Sequence, residues 1–161
     1  MSEETLYRSI THGNLSEQEV FNQIKEDILS HPHNNYQIVV GTDSQTYNYT
    51  KVVSVIALIN VGSGGKWFHT VERKGRPYSV REKLYYEASR SLEVAKRLTK
   101  YLYDEGLNFR VIVDVDMGES RSGKTYELIK EIVGWVTAEG FECRYKPNSP
   151  VASTVADRVS K

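Results

Sequence analysis

The stretch FRVIVDVDMGESRSGKT, residues 109–125, places a β-branched apolar run directly before two aspartates and a glycine-containing turn. The run over 109–116 is typical of a buried strand. A helix is predicted from about Gly123 to Glu139, because Gly140 follows it as a stop signal. A strand that ends in acids and leads into a helix is typical of an α/β fold.

Four other segments have the composition of strands. Three of them precede the opening stretch and one follows it: YQIVVGTDS at 36–44, KVVSVIALINV at 51–61, KWFHTVERK at 66–74 and FECRYK at 141–146. The second and third of these are separated only by the turn GSGG, which predicts an antiparallel hairpin. The strand order along the chain therefore begins with antiparallel pairing and continues with βα alternation.

Helix-start signals mark three further helices. Ser16–Glu19 and Ser79–Glu82 are capping boxes. The second predicts a long helix that ends near Glu105, and Ser149–Pro150 predicts the start of a last helix. The order helix, β-β-β-α-β-α-β-α predicts a mixed five-stranded sheet flanked by helices. We expect one domain over residues 1–161, with a helical extension at 1–35 and the core at 36–161.

The composition excludes several classes of protein. Acidic and basic residues balance at 21 each, so no global field draws the chain to nucleic acid or to a membrane. Cys143 is the single cysteine, which excludes a disulfide framework and a cysteine zinc site. No segment has the pattern of a signal peptide or a membrane helix. We therefore expect a cytoplasmic protein, and any nucleic-acid site must concentrate basic residues locally.

The segment Gly118–Thr125 matches the phosphate-loop pattern G-x-x-x-x-G-K-[ST] between a strand and a helix. A nucleotide hydrolase of this kind also needs an acidic strand end downstream to hold magnesium. The strand predicted at 141–146 does not end in an acid. The phosphate-loop NTPase is therefore the least favoured interpretation, and Lys124 is retained as a candidate contact to a phosphate.

The acids at the predicted strand ends indicate a different chemistry. Asp43 ends the first strand, and Asp114 and Asp116 end the fourth. Like charges at neighbouring strand ends are tolerated when a cation joins them. Oxygen ligands favour Mg²⁺ or Mn²⁺ over zinc. Asp114 and Asp116 are two residues apart and share one strand face, so either is a candidate ligand.

Two helical acids are less clearly placed by periodicity. Glu87 lies at the flank of the apolar stripe of the long helix, where it can reach the sheet edge or pair with Arg90 or Ser91. Asp157 points away from the valine face of the predicted last helix. Periodicity alone indicates a solvated acid at that position.

The segments GTDSQ, YEASRSLEVAKRL, DMGESRSGKTYELIKEIVGWV and KPNSPVASTVADR together resemble the YkuK-like family of predicted ribonuclease-H-like nucleases. This resemblance implies the ribonuclease-H-like fold and phosphodiester hydrolysis at two metal ions held by four carboxylates. Matched position by position, it implies Asp43 on the first strand, Glu87 on the long helix, Asp116 on the fourth strand and Asp157 on the last helix.

The leading hypothesis is thus a nuclease that uses two Mg²⁺ or Mn²⁺ ions on RNA, DNA or a hybrid. Lys124, Lys146, Ser44 and Gln45 are candidate contacts to the substrate. The alternative is a non-catalytic module on the same fold that binds nucleic acid or protein. It is favoured by the balanced charge and predicts salt-dependent binding without cleavage.

Overall fold

The structure is a computed structural model and describes residues 5–10, 12–116 and 123–145. Ten elements follow in chain order: β1 Leu6–Ser9, β2 Gly13–Ser16, α1 Glu17–Ser30, β3 Tyr36–Thr46, β4 Thr50–Asn60, β5 Gly64–Lys74, α2 Val80–Asp104, β6 Val111–Val115, α3 Gly123–Ala138 and β7 Glu142–Tyr145. The strands form one mixed sheet in the order β2-β1-β5-β4-β3-β6-β7.

The centre of the sheet follows the predicted pairing. Strands β3, β4 and β5 are antiparallel neighbours, and β6 adds parallel to the other side of β3. Strand β7 then pairs parallel to β6. The βα alternation after β5 produces these parallel pairs, because a helix returns the chain to the same end of the sheet.

The prediction of a five-stranded sheet is wrong: the described residues form seven strands. The two additional strands, β1 and β2, form a hairpin within the segment that was expected to be only helical. Each has four residues, which is too short for alternating hydrophobicity to mark a strand. Pairing with the edge of β5 and complete burial of Tyr7 stabilise the hairpin instead.

The helix boundaries follow local signals closely. Both predicted capping boxes are formed, with Ser16 capping α1 and Ser79 capping α2. Gly106 and Gly140 follow α2 and α3 with φ values of 80° and 94°, a conformation that glycine adopts without strain. The last predicted helix, from Ser149, lies outside the described residues.

The main core lies between one face of the sheet and the helices. Ile24 of α1, Leu98 of α2 and Ile132 of α3 are fully buried in one cluster that also contains Ile38 and Val40 of β3. The opposite face carries a smaller cluster of Val39, Ala57 and Ile112, with Ile59 packed against it. Alternation along β3 and β6 therefore assigns each polar residue near the strand ends to one of the two faces.

None of the helices in the described ranges is long and apolar enough to cross a membrane.

Candidate acidic site

The ends of β3 and β6 bring two of the predicted acids to neighbouring positions. The parallel register pairs Gly41 with Asp114. Asp43 lies two residues beyond this last pair on β3, and Asp116 follows the end of β6, so the register directs both acids to neighbouring positions at this edge. Alternation assigns both to the sheet face marked by Val39. The predicted juxtaposition of acids at neighbouring strand ends is thus a consequence of the β3–β6 register.

Glu87 joins this end of the sheet from α2. Its carboxylate is buried, and its Oε2 accepts a hydrogen bond of 2.7 Å from the hydroxyl of Ser44. The backbone N–H of Ser44 donates to Oδ1 of Asp43 at 2.9 Å. Ser44 therefore bridges the two carboxylates, one through its side chain and one through its backbone. We call Asp43, Glu87 and Asp116 the acidic cluster.

The electrostatics of the acidic cluster are unfavourable for three ionised carboxylates. Burial raises the pKa of Glu87 well above its ordinary value, and the negative charges of Asp43 and Asp116 raise it further. The Ser44 hydrogen bond and the charge of Lys83 oppose this effect but do not cancel it. Like charges have thus been gathered around a buried acid, an arrangement that a bound cation would stabilise.

Asp114 has different neighbours from Asp116. Its side chain is buried, and Nε of Arg144 on β7 lies 3.8 Å from its Oδ1. Burial raises the pKa of Cys143 to about 11, and the charge of Asp114 contributes to that shift. The structure therefore places Asp114 towards β7, whereas Asp116 acts electrostatically on Glu87.

A second polar cluster, one helical turn further along α2, was not predicted from the sequence. The Thr42 hydroxyl lies 2.8 Å from the hydroxyl of Ser91 and 3.2 Å from that of Ser54. All three residues are buried. We call them the hydroxyl cluster. Their only sequence signal is that Thr42 and Ser44 share a strand face while Glu87 and Ser91 share a helix face.

The remaining candidate contacts are only partly described. Gln45 is half-buried, and its Oε1 accepts a hydrogen bond of 2.6 Å from the hydroxyl of Tyr47. Helix α3 begins at Gly123, within the segment that matches the phosphate-loop pattern. The side chain of Lys124 lies outside the described part, as do Lys146 and Asp157.

The donor atoms of the acidic cluster suit a hard divalent cation, because they are carboxylate oxygens with a hydroxyl beside them. Within 5–10, 12–116 and 123–145, however, no group of three or more His, Cys, Asp or Glu residues is placed to hold a metal ion. Asp43, Glu87 and Asp116 therefore share an electrostatic environment without forming a complete ligand set among the described residues.

Comparisons with known proteins identify the family. A family model described as Ribonuclease H-like matches residues 19–161. The chain is also 32% identical over 177 residues to the uncharacterized protein YkuK of Bacillus subtilis (strain 168), and the alignment covers 100% of both chains. No solved structure matches. The fold, the acids at its strand ends and these matches agree, and the chain therefore belongs to the ribonuclease-H-like family, in its YkuK-like group.

Proposed function

We propose that the protein is a metal-dependent nuclease that hydrolyses phosphodiester bonds of RNA, DNA or a hybrid. The observation that carries this proposal is the acidic cluster, in which Ser44 bridges Asp43 and buried Glu87 while Asp116 lies at the neighbouring strand end. Burying and gathering like charges destabilises a fold unless the arrangement serves a ligand. The ribonuclease-H-like family makes a nucleic-acid phosphate the favoured substrate.

In this proposal Asp43, Glu87 and Asp116 hold two divalent ions, Mg²⁺ or Mn²⁺, together with Asp157, which the resemblance supplies. The bound ions would lower the pKa of a water molecule and neutralise charge that develops on the phosphate. Ser44 orients the Glu87 carboxylate through its hydroxyl and fixes Asp43 through its N–H. Lys124, Lys146 and Gln45 are proposed contacts to substrate.

Asp116 is proposed as the ligand of the fourth-strand pair, and Asp114 as a structural acid. The charge of Asp116 acts on Glu87, whereas Asp114 is buried beside Arg144 and Cys143. The two isosteric variants separate these roles. We expect Asp116→Asn to abolish metal-dependent cleavage and Asp114→Asn to change mainly the free energy of unfolding. Equal loss of cleavage in two folded variants would contradict the assignment.

The first experiment is a cleavage panel. Wild-type and Asp43→Asn proteins are incubated with single-stranded, duplex, hybrid and branched nucleic acids, with Mg²⁺, Mn²⁺ or chelator. We expect cutting by the wild type alone, and only with a metal. Calorimetry of Mn²⁺ binding accompanies the panel, because a protein that binds no metal and cuts no substrate would overturn the proposal.

A non-catalytic binding module is the second candidate. The observation that favours it is the lack, among the residues that the structure describes, of a complete metal-ligand group. It predicts salt-dependent binding of nucleic acid that Asp43→Asn leaves unchanged, and no product with any metal. Product that requires both metal and Asp43 would exclude this candidate.

A further inference from the structure

A basic cavity lies on the sheet away from the acidic cluster. Its volume is about 370 Å³, and its polar lining includes Arg8, Asn14, Lys51, His69 and Arg73. No residue that lines it in the described part of the chain is acidic. The protein has no net charge, so this cavity is a local concentration of positive charge and not a reflection of overall composition.

Strand register brings these residues together from four strands. Arg8 on β1 pairs with His69 on β5 and with Asn14 on β2, while Lys51 on β4 pairs with Arg73 on β5. His69 and Arg73 lie four residues apart on one strand and therefore share a face. Two of the four strands form the N-terminal hairpin, so the cavity exists only because that hairpin extends the sheet.

Two cations of the cavity, Arg8 and Arg73, are available to a ligand. Arg8 and Arg73 are exposed, and neither forms an ion pair with a carboxylate anywhere in the described ranges. The positive charge is close enough to affect its neighbours, since burial and then the charge of Arg8 lower the pKa of His69. Exposed guanidinium groups that converge without acids are suited to bind phosphate in a bidentate manner.

One sheet face connects this cavity to Asp43 of the acidic cluster, whereas Glu87 approaches the strand end from α2 on the other face. Gln45 on β3 pairs with Lys51, which in turn pairs with Arg73, so one ladder crosses from the acidic strand to the cavity. Asp43 lies two residues before Gln45 and on the same face. At about 4.8 Å between neighbouring strands, Arg73 lies roughly 10 Å and Arg8 roughly 14 Å across the sheet from β3.

We propose that the basic cavity binds the phosphate backbone of a nucleic-acid strand whose scissile bond lies at the acidic cluster. The inference rests on the proposed nuclease function and adds a second, non-catalytic contact to it. A span of about 10–14 Å corresponds to about three to four steps of axial rise in a B-form duplex, at about 3.4 Å per step. The cavity thus positions the substrate a few nucleotides from the reacting phosphate, without reading base identity.

An acidic protein segment would also be attracted to such a cavity. Nucleic acid is favoured because the ladder through Gln45 and Lys51 leads to Asp43 on the same face, so that a continuous polyphosphate can extend from the cavity to the acidic cluster. An acidic peptide would have to place its own carboxylates beside Asp43, which is electrostatically unfavourable.

The test is a binding measurement with chelator present, so that no cleavage occurs. Fluorescence anisotropy of labelled single-stranded and duplex oligonucleotides is compared for wild type and Arg8→Gln/Arg73→Gln. We expect the double variant to bind about tenfold more weakly at low salt. The slope of log K against log salt should fall by about 1.4 to 1.8, because two phosphate contacts are lost.

The matched control is Lys96→Gln/Lys100→Gln, which removes the same charge from α2, on the other side of the sheet. These lysines pair with Glu139 and Asp104 and are exposed. The control should bind like the wild type. Equal weakening in both double variants would show that only net charge matters and would overturn the proposal. Binding of poly-glutamate by wild type, with no binding of oligonucleotides, would overturn it in favour of an acidic protein partner.

The two proposals fail separately. If Arg8→Gln/Arg73→Gln binds oligonucleotides more weakly as expected, but the wild type cleaves nothing under any metal condition, the cavity assignment stands and the nuclease proposal is wrong. Metal-dependent cleavage by the wild type, with binding and KM unchanged in Arg8→Gln/Arg73→Gln, would leave the nuclease proposal intact and the cavity inference wrong. Thermal unfolding of each variant confirms that the exposed substitutions leave the fold intact.

Discussion

The hydroxyl cluster and the acidic cluster lie one helical turn apart at the same α2–β3 interface, and they differ in charge. In the first, Thr42 contacts Ser91 and Ser54 through short hydroxyl pairs. In the second, the Ser44 hydroxyl meets the carboxylate of Glu87 beside two further acids. Each joins a residue of β3 to a residue of α2, but the hydroxyl cluster is wholly buried, whereas Glu87 is buried and Asp43 and Asp116 are half-buried.

This difference in charge distinguishes buried polar groups that only stabilise the fold from buried polar groups that serve a ligand. Neutral hydroxyls that satisfy one another cost little to bury, so the hydroxyl cluster is explained by packing alone. A buried carboxylate with acidic neighbours destabilises the protein without a ligand, so the acidic cluster is not explained by packing. Four predictions test this distinction, from the largest expected effect to the smallest.

The largest effect is expected on catalysis. Glu87→Gln should lower metal-dependent cleavage at least about a hundredfold, because it removes a ligand charge worth several kcal/mol in the transition state. Ser91→Ala, one turn along α2, should change the rate less than about threefold when folded. Single-turnover rates at saturating Mn²⁺ measure both. A comparable loss in the two variants would mean that the two clusters act as one unit.

The second effect concerns the free energy of unfolding, and its sign should differ between the clusters. In chelator at neutral pH, Glu87→Gln should raise stability by on the order of 1 kcal/mol, because it relieves burial of a charge beside Asp43 and Asp116. Ser91→Ala should lower it by about 1–2 kcal/mol by leaving the Thr42 hydroxyl with one partner fewer. Urea denaturation measures both values.

In excess Mn²⁺ the wild type should become more stable than Glu87→Gln, since a ligand that binds only the folded state stabilises it. The midpoint of wild-type unfolding should rise with Mn²⁺, and that of Glu87→Gln should rise much less. If Glu87→Gln were destabilising in chelator, and its unfolding midpoint rose with Mn²⁺ as much as that of the wild type, Glu87 would belong with the structural hydroxyls.

The third effect concerns Ser44, whose hydroxyl lies on the same strand face as Thr42 but binds the Glu87 carboxylate. Ser44→Ala removes the hydroxyl that holds Glu87 Oε2 and should weaken Mn²⁺ binding about tenfold to a hundredfold. Thr46→Ala is the matched control on the same strand, because the Thr46 hydroxyl donates an exposed hydrogen bond of 3.4 Å to the Tyr78 carbonyl and not to a carboxylate. Calorimetric titration compares them, and equal affinities would remove Ser44 from the site.

The smallest effect involves an exposed acid at the start of α2. The Arg76 side chain, followed by the Ser79 backbone, lowers the pKa of Glu82 from 4.5 to about 2. Because the folded pKa is depressed, the stabilisation is complete above about pH 4.5 and is lost as the pH falls towards 2. Solvent and salt screen such an exposed group, so the effect is small.

The check is the difference in unfolding free energy between wild type and Glu82→Gln across that pH range, at low and high salt. The difference should decrease with falling pH and should be smaller at high salt. A difference that is constant with pH would show that Glu82 acts only as a hydrogen-bonding cap. Glu82 is thus a reference carboxylate, because its neighbours stabilise its ionised form, whereas the surroundings of Glu87 destabilise the ionised form.

Local sequence signals determined most of the fold. The capping boxes at Ser16 and Ser79 and the glycines at 106 and 140 each act within a few residues of the chain, so the helix ends were predictable. Apolar, β-branched runs marked β3, β4 and β6, and the position of 66–74 directly after the GSGG turn helped to mark β5. The acids at 43 and 116 were visible because they interrupt apolar strands, where a charge is unexpected.

The tertiary structure decided what depends on pairing between distant segments. The β1–β2 hairpin has too few residues to carry a pattern and forms because β5 offers an unpaired edge. The different neighbours of Asp114 and Asp116 follow from where β7 and α2 lie, although both acids share one strand pattern. The hydroxyl cluster and the basic cavity join residues up to tens of positions apart, which composition and periodicity do not reveal.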